Sequence, residues 1–151
     1  MATSRNITYT FANQLSVDLW TDGTFYEWNG DTSGKFESNA SPVRIPAFST
    51  KRAFAACGDS DSTTGVTGMV KYWAVPAGAS GNSNAVGHVS FAFSIAYDHG
   101  FPDYYSNKWS NDGSGALGST GKYKFSTSGW NSSADSVAIT VTFAAASAAT
   151  P

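Results

Sequence analysis

Charged and sulfur-containing residues are scarce in this sequence. Only 13% of the 151 residues are charged, and nine basic and eleven acidic residues give a net charge of −2. Binding to nucleic acid phosphates requires clustered Lys and Arg, so we expect no nucleic acid partner. The one cysteine, Cys57, cannot form an internal disulfide, and its apolar neighbours favour a small buried residue over a reactive thiol.

Long apolar runs and targeting signals are also missing. No run approaches the roughly 20 residues of a transmembrane helix, and no basic segment followed by an apolar one opens the chain. We therefore expect a protein that is cytoplasmic or is released without a signal peptide. The length suits one domain over residues 1–151, in which 144–151 is predicted to be a flexible tail.

Helical patterns are absent, and strand patterns are frequent. No stretch repeats apolar residues every 3.6 positions, and Gly, Ser, Thr and Asn recur too often for long helices. Apolar and polar residues instead alternate over short stretches, which is typical of half-buried strands. The predicted strands are Ile7–Phe11, Leu15–Leu19, Phe25–Trp28, Arg52–Cys57, Val66–Val75, Val86–Tyr97, Lys122–Phe125 and Val137–Phe143. This pattern predicts an all-β fold, a β-sandwich of two antiparallel sheets with little or no helix.

Recognisable catalytic and metal-binding motifs are missing. His88 and His99 have no Cys, His or carboxylate at a spacing suited to a metal, and no Gly-x-Ser-x-Gly elbow precedes a helix. Asp59 and Asp61 lack the twelve-residue loop with a terminal Glu that holds calcium, so a turn is the favoured interpretation. We expect a protein that is not an enzyme and that has no bound metal and no cofactor.

The segment Tyr97–Trp109 is the most unusual part of the chain, because it holds five aromatic residues in thirteen positions. Aromatic faces stack on sugars or hold quaternary ammonium groups by cation–π attraction. Asp98 and Asn107 would then orient a ligand through hydrogen bonds to its hydroxyl groups. Residue composition supports two interpretations equally, a recognition loop and a hydrophobic cluster that anchors a long loop.

This segment resembles the actinoporin family, the pore-forming cytolysins of sea anemones. The family carries a Ser-x-x-Tyr-Asp stretch and then an aromatic loop that ends in Tyr-Ser-Asn and Trp. The matching stretches are Ser94–Asp98 and Tyr104–Trp109, and further matches in the same order are Thr64–Gly68, Phe36–Ser41 with Ile45–Pro46, Arg5–Trp20 and Ser136–Phe143. The resemblance covers most of the chain and implies an actinoporin-like sandwich with a pocket for the phosphocholine of sphingomyelin.

Several departures from the family argue against a pore-forming toxin. Ala96 replaces a proline, and Lys108 replaces a tryptophan of the membrane-facing loop. The Gly/Ser-rich stretch 111–121 stands where the family has a helix whose tyrosines complete the choline cage. The chain begins four residues before its first matched strand, so we expect no inserting N-terminal helix and no pore formation. Each missing cation–π contact weakens choline binding by about 0.5–2 kcal/mol.

The fold also resembles that of fungal fruit-body lectins, which lack the inserting helix and bind galactose-type glycans. By analogy we predict a lectin for cell-surface glycans of the galactose or GalNAc type, acting as a dimer or tetramer because linked sites gain effective concentration. The predicted site, carried over from the family pocket and extended along the aromatic segment, is Ser41, Thr67, Ser94, Tyr97, Asp98, Tyr104, Tyr105, Asn107 and Trp109. A protein that binds phosphocholine or sphingomyelin head groups is the alternative, and a storage or structural protein without a ligand also stays open.

Overall fold

The structure is a computed structural model of the chain. It describes residues 6–28, 30, 32–58, 65–95, 104–110, 123–129 and 136–145, and for 104–110 it describes the backbone and its pairing. Within these ranges the chain forms no helix and nine strands: β1 (Asn6–Asn13), β2 (Asp18–Trp20), β3 (Lys35–Phe36), β4 (Ser49–Cys57), β5 (Val66–Val75), β6 (Gly87–Ile95), β7 (Tyr104–Ser110), β8 (Tyr123–Ser128) and β9 (Ser136–Ala145).

The strands form two sheets, which confirms the predicted β-sandwich. The five-stranded sheet has the order β3-β4-β1-β9-β8, and the four-stranded sheet has the order β2-β5-β6-β7. One pair differs from the purely antiparallel arrangement predicted, because β1 and β9 run parallel with Asn6 opposite Ser136 and Asn13 opposite Phe143. These two strands are far apart in sequence, so no hairpin turn forces them to run in opposite directions.

Alternate residues of the strands fill an aromatic core between the sheets. Ile7, Tyr9 and Phe11 of β1 are fully buried, whereas the residues between them are half-buried. The ring of Tyr9 stacks on Phe54 with centroids 4.7 Å apart, and Phe11 packs on Phe91 of the other sheet at 5.2 Å. Each such aromatic pair adds about 0.5–1.5 kcal/mol to the stabilisation from burial itself.

Two predicted strands are shorter in the structure. Instead of Leu15–Leu19, β2 comprises only Asp18–Trp20, because the Leu15 amide donates to Asn13 Oδ1 at 3.0 Å in a local turn after β1. Instead of a strand at Phe25–Trp28, the chain forms isolated bridges at Tyr26 and Trp28, and Tyr26 pairs with Met69.

The predicted tail and the predicted buried thiol also differ from the structure. Ala144 and Ala145 are the last residues of β9 and pair with Lys124 and Tyr123, so they belong to the sheet and not to a tail. Residues 146–151 lie outside the described ranges. Cys57, at the end of β4, is half-buried and not buried. The single domain over 1–151 stays a prediction.

One end of the sandwich is formed by the connections 14–17, 42–48 and 76–86, and we refer to it as the loop end. The side chain of Asn13 is buried beneath these connections. Its Nδ2 donates to the carbonyl oxygens of Val17 at 2.9 Å, Pro46 at 3.1 Å and Ile45 at 3.3 Å. Asn13 therefore links two of the connections by bonding to their backbone carbonyls.

A second buried side chain, Asp18, holds the loop end from the start of β2. One carboxylate oxygen accepts from the Ala47 amide at 2.9 Å. The other oxygen accepts from Arg44 Nη1 and from the Gly78 amide, both at 2.9 Å, while Arg44 also donates to the Ala79 carbonyl. Since hydrogen bonds to a charged group are stronger than neutral ones, Asp18 fixes connections 42–48 and 76–86 relative to each other.

Tyr72 anchors connection 42–48 from the core. Its ring is fully buried, and its hydroxyl donates to the Val43 carbonyl at 2.8 Å. Burial raises the pKa of Tyr72 far above its ordinary value, because a phenolate would have to form without solvent. The folded protein therefore keeps the Tyr72 proton at a pH where the unfolded chain releases it.

We expect Tyr72→Phe to lower the free energy of unfolding by about 1–3 kcal/mol at pH 7, because the Val43 carbonyl loses its donor. The wild type should lose a further ~1.4 kcal/mol by pH 11 from this residue, since only the unfolded chain ionises above about pH 10. The variant lacks this loss, so the gap between the two proteins should narrow from pH 7 to pH 11 in urea unfolding curves. A constant gap would mean that Tyr72 ionises equally in both states.

Candidate functional site

Along the strands of the four-stranded sheet, core residues alternate with residues that point away from the core. The second set forms the outer face of the sheet, which carries polar and aromatic side chains. On β5 the half-buried residues are Thr67, Met69, Lys71 and Trp73. The register places them opposite Ser94, Ala92, Ser90 and His88 of β6, and these are opposite Tyr104, Ser106, Lys108 and Ser110 of β7. Directly opposite residues share a face of a sheet, so these positions form four cross-strand rows about 6.6 Å apart.

The first row carries hydroxyl groups, and we call it the hydroxyl row. It runs from Ser33, which bridges to Thr67, through Ser94 to the backbone position of Tyr104. The hydroxyl oxygens of Thr67 and Ser94 are 3.0 Å apart and share a hydrogen bond. Each hydroxyl has further acceptor capacity, so the pair can also accept from a ligand.

In the middle of the outer face, β6 carries small side chains and β5 carries larger ones. Ser90 and Ala92 have small side chains that are buried, whereas Met69 and Lys71 beside them are half-buried. Lys71 Nζ lies over the Tyr26 ring, 4.4 Å from its centroid. This cation–π contact holds the lysine against the sheet.

Tyr26 is itself held by an acidic neighbour at the edge of the outer face. Its hydroxyl donates to the Asp22 carboxylate. This hydrogen bond, followed by partial desolvation, raises the pKa of Tyr26 above its ordinary value. A cation, an aromatic ring and a carboxylate therefore form a chain from Lys71 through Tyr26 to Asp22.

The last row is aromatic and lies next to the loop end. Trp20 of β2, Trp73 of β5 and His88 of β6 are neighbours, and we call them the aromatic row. The ring centroids of Trp20 and Trp73 are 5.5 Å apart with an interplanar angle of 55°, and those of Trp73 and His88 are 6.2 Å apart at 38°. All three residues are half-buried, so they keep part of their surface for a ligand.

The residues predicted from the sequence are only partly brought together. Thr67, Ser94 and the backbone of Tyr104 share the hydroxyl row. Ser41 is exposed beside β4 of the other sheet, where the Ala40 carbonyl accepts from the Ala55 amide, and it has no hydrogen bond to Thr67 or Ser94. Tyr97 and Asp98 lie outside the described residues.

The second half of the predicted aromatic loop is the edge strand β7. Its register pairs Tyr105 with Phe93, Asn107 with Phe91 and Trp109 with Val89, all of which are core positions of β6. By the same register Tyr104 is opposite Ser94, one position out of step with Tyr105, Asn107 and Trp109. Residues 104–110 therefore form a strand and not the predicted loop, and their role in binding stays a prediction.

Trp20, Tyr26 and Trp73 are candidate residues that the sequence interpretation missed. The period of two contained the signal for Trp73, because Tyr72 and Trp73 are adjacent and only one of them faces the core. Nothing local could identify Trp20 and Tyr26, since their places on the outer face depend on pairing with β5 more than 40 residues later.

Two clefts formed by described residues lie away from the predicted pocket. One of about 370 Å³ is lined by Phe25, Thr32, Gly34, Lys35 and Phe36. Another of about 220 Å³ is lined by Lys124, Phe125, Ser126, Thr142 and Ala144. Neither includes Ser41, Thr67 or Ser94, so these two clefts give no support to a pocket beside those residues.

Metal-binding clusters and membrane-spanning helices are both absent from the described residues. No group of three or more His, Cys, Asp or Glu side chains that could hold a metal ion occurs among the residues that the structure describes. These residues also include no helix with the length and apolar character needed to cross a bilayer. The chemistry available on the outer face is stacking, cation–π attraction and hydrogen bonding.

Comparison with known proteins shows the fold. The crystal structure of the RahU protein in complex with TRIS matches this chain with a TM-score of 0.67 at 15% identity, over 95% of this chain and 96% of that one. The lipid-binding protein Nakanori matches with a TM-score of 0.64 at 10% identity, over 94% and 72%. No family model and no curated protein matches the sequence. At these identities the likeness concerns the sandwich alone, and it supports the actinoporin-like fold.

A double-mutant cycle on Thr67 and Ser94 tests the geometry of the hydroxyl row. We expect Thr67→Val and Ser94→Ala to couple by about 0.5–1.5 kcal/mol in urea unfolding, since each variant removes one partner of the same hydrogen bond. Additive effects within about 0.3 kcal/mol would show that the two hydroxyls do not contact each other in solution.

Proposed function

We propose that this protein is a lectin that binds glycans on the outer face of the four-stranded sheet and catalyses no reaction. The observation that supports this most strongly is the aromatic row of Trp20, Trp73 and His88, whose rings contact one another and are only half-buried. Aromatic rings bind the apolar C–H faces of sugars, and hydroxyl and amide groups then fix the sugar's orientation. Galactose and GalNAc are suitable sugars because one side of their ring presents contiguous C–H groups.

The aromatic row is prepared for binding before a ligand arrives. Its rings lie on three neighbouring strands and contact one another, so their rotamers are restricted in the free protein. A ring that is already ordered loses little side-chain entropy on binding, which favours affinity. The half-buried state of Trp73 therefore supports a binding role better than a fully mobile surface ring would.

The charge of the outer face also suits a neutral ligand. Its described rows contain Lys71 and the register position of Lys108, and the Asp22 carboxylate lies at the edge beside Tyr26, so charges of both signs are present and few. Lys71 already lies over Tyr26, so its charge is partly engaged. Along β5 the aromatic row and the hydroxyl row are six residues apart, or about 20 Å. This distance leaves room for several sugar units in line.

Recognition of a phosphocholine head group is the second candidate, and the Tyr26 ring favours it. The face of this ring holds the Lys71 ammonium at 4.4 Å and therefore attracts cations. A quaternary ammonium group would bind there after displacing Lys71. The similarity to a lipid-binding protein is one of fold, and so it does not decide between the two ligands.

We expect Trp73→Ala to lower the affinity for the best glycan on an array by roughly tenfold or more, since it removes the central ring of the aromatic row. Ala74 and Tyr72 beside it stay in the core, so the variant should fold. Isothermal titration with that glycan, together with the circular dichroism of the variant, measures both effects.

Phe48→Asn provides a matched control, because it removes an exposed aromatic ring from outside the outer face. It should bind the glycan like the wild type. Unchanged glycan binding by folded Trp73→Ala would contradict the proposed site. Binding to sphingomyelin vesicles without binding to any glycan would favour the second candidate. Assembly into a dimer or tetramer stays a prediction and can be measured by sedimentation on the same sample.

A further inference from the structure

The two exposed large apolar side chains of the described residues are on one connection of the loop end. Val43 is 41% exposed and Phe48 is 72% exposed, and both precede β4. Pro46, between them, is exposed as well. Phe48 lies in the turn at 47–48 directly before β4, whereas Val43 lies farther back, where its amide donates to the Ala53 carbonyl. Phe48 and the exposed Pro46 therefore form a small apolar tip.

The backbone of this tip is strained at Phe48. Its φ is +58°, in the left-handed region that bulky residues rarely adopt. The Phe48 amide nevertheless donates to the Leu15 carbonyl at 3.2 Å, and the neighbouring Ala47 amide donates to Asp18. With Asn13 bonded to Pro46 and Tyr72 bonded to Val43, the connection is held from several sides. Strain of this kind persists only where surrounding contacts impose it, and it is typical of functional segments.

The loop end differs in charge from the rest of the chain. Counted with their flanking residues, the connections 13–18, 42–51 and 75–86 contain two basic residues (Arg44 and Lys51) and one acidic residue (Asp18). The rest of the chain then holds seven basic and ten acidic residues, so the net charge is +1 at the loop end and −3 elsewhere. Lys51 is exposed, whereas Asp18 is buried and paired with Arg44. The exposed Arg52, next along β4, donates to the Asn39 carbonyl at 3.0 Å.

We propose that the loop end is a second binding surface, which docks on an anionic lipid bilayer and inserts the Phe48 ring at its interface. Apolar groups and basic residues together provide the two kinds of attraction that stable membrane binding requires. A protein partner fits less well, because a protein interface needs about 800 Å² from each side and a protruding tip of two side chains offers little flat area. A fluid bilayer, by contrast, accepts a single convex ring.

Vesicles of phosphatidylserine and phosphatidylethanolamine test this proposal, since they contain neither sugar nor choline. The wild type should co-sediment with them, and it should bind less to neutral phosphatidylcholine vesicles and less at about 0.5 M salt, where charges are screened. Phe48→Asn should lower the partition coefficient by roughly tenfold or more, because the inserted ring is lost. Its thermal stability should be equal or higher, since Asn tolerates a positive φ.

A relocated ring provides a control with unchanged composition. Asn39 is exposed, has a φ of +59° and lies outside the loop end. The double variant Phe48→Asn with Asn39→Phe, once shown by circular dichroism to be folded, should bind as weakly as Phe48→Asn alone. Full binding by either variant, or equal binding to neutral vesicles and at high salt, would overturn the proposal. Trp73→Ala should bind these vesicles normally, and Phe48→Asn should still bind glycan, so failure of either proposal is seen separately.

Discussion

The packing of Tyr9 among four aromatic rings determines which face of each sheet is turned to solvent. Its ring centroid lies 4.7 Å from Phe54, 5.5 Å from Phe91, 6.2 Å from Phe93 and 6.4 Å from Phe11. These rings belong to both sheets, so the contact fixes β1, β4 and β6 relative to one another. A shift of one residue in β6 would turn Phe91 and Phe93 to water. The outer face keeps its present residues because that shift would expose both rings and destabilise the fold.

The loop end depends on a different interaction, the hydrogen bonds of Asn13 and Asp18. Both side chains are buried, and both bond mainly to backbone groups of the connections. A buried polar side chain whose hydrogen-bond partners are all present stabilises the fold, because its removal would leave several backbone groups without a partner. These bonds also hold the strained φ of Phe48. An exposed ring on a turn is ordinarily mobile, and here the backbone that carries it is fixed.

The sequence predicts this fold well where the period of two is uninterrupted. Val66–Val75 is β5 as predicted, and the apolar and small faces of β6 are as expected. Prediction fails where pairing between distant segments decides the outcome. The aromatic residues of 104–110 suggested a loop, but this segment pairs with β6 as an edge strand. Ser41 matched a family motif in sequence, and the chain places it beside β4. A motif does not specify which sheet its loop joins, so the place of Ser41 in the site stays a prediction.

The two proposed surfaces are related by the direction of the strands. β5 and β6 run between the loop end and the opposite end of the sandwich, and the aromatic row is the row of the outer face nearest the loop end. A molecule seated on a bilayer through Phe48 would therefore hold Trp73 close to the lipid surface and Ser94 about 20 Å farther out. A glycan chain attached to a lipid extends away from the bilayer in the same direction. Since both contacts would then form on one target, each could be weak and the pair still bind tightly, because the second contact becomes intramolecular after the first.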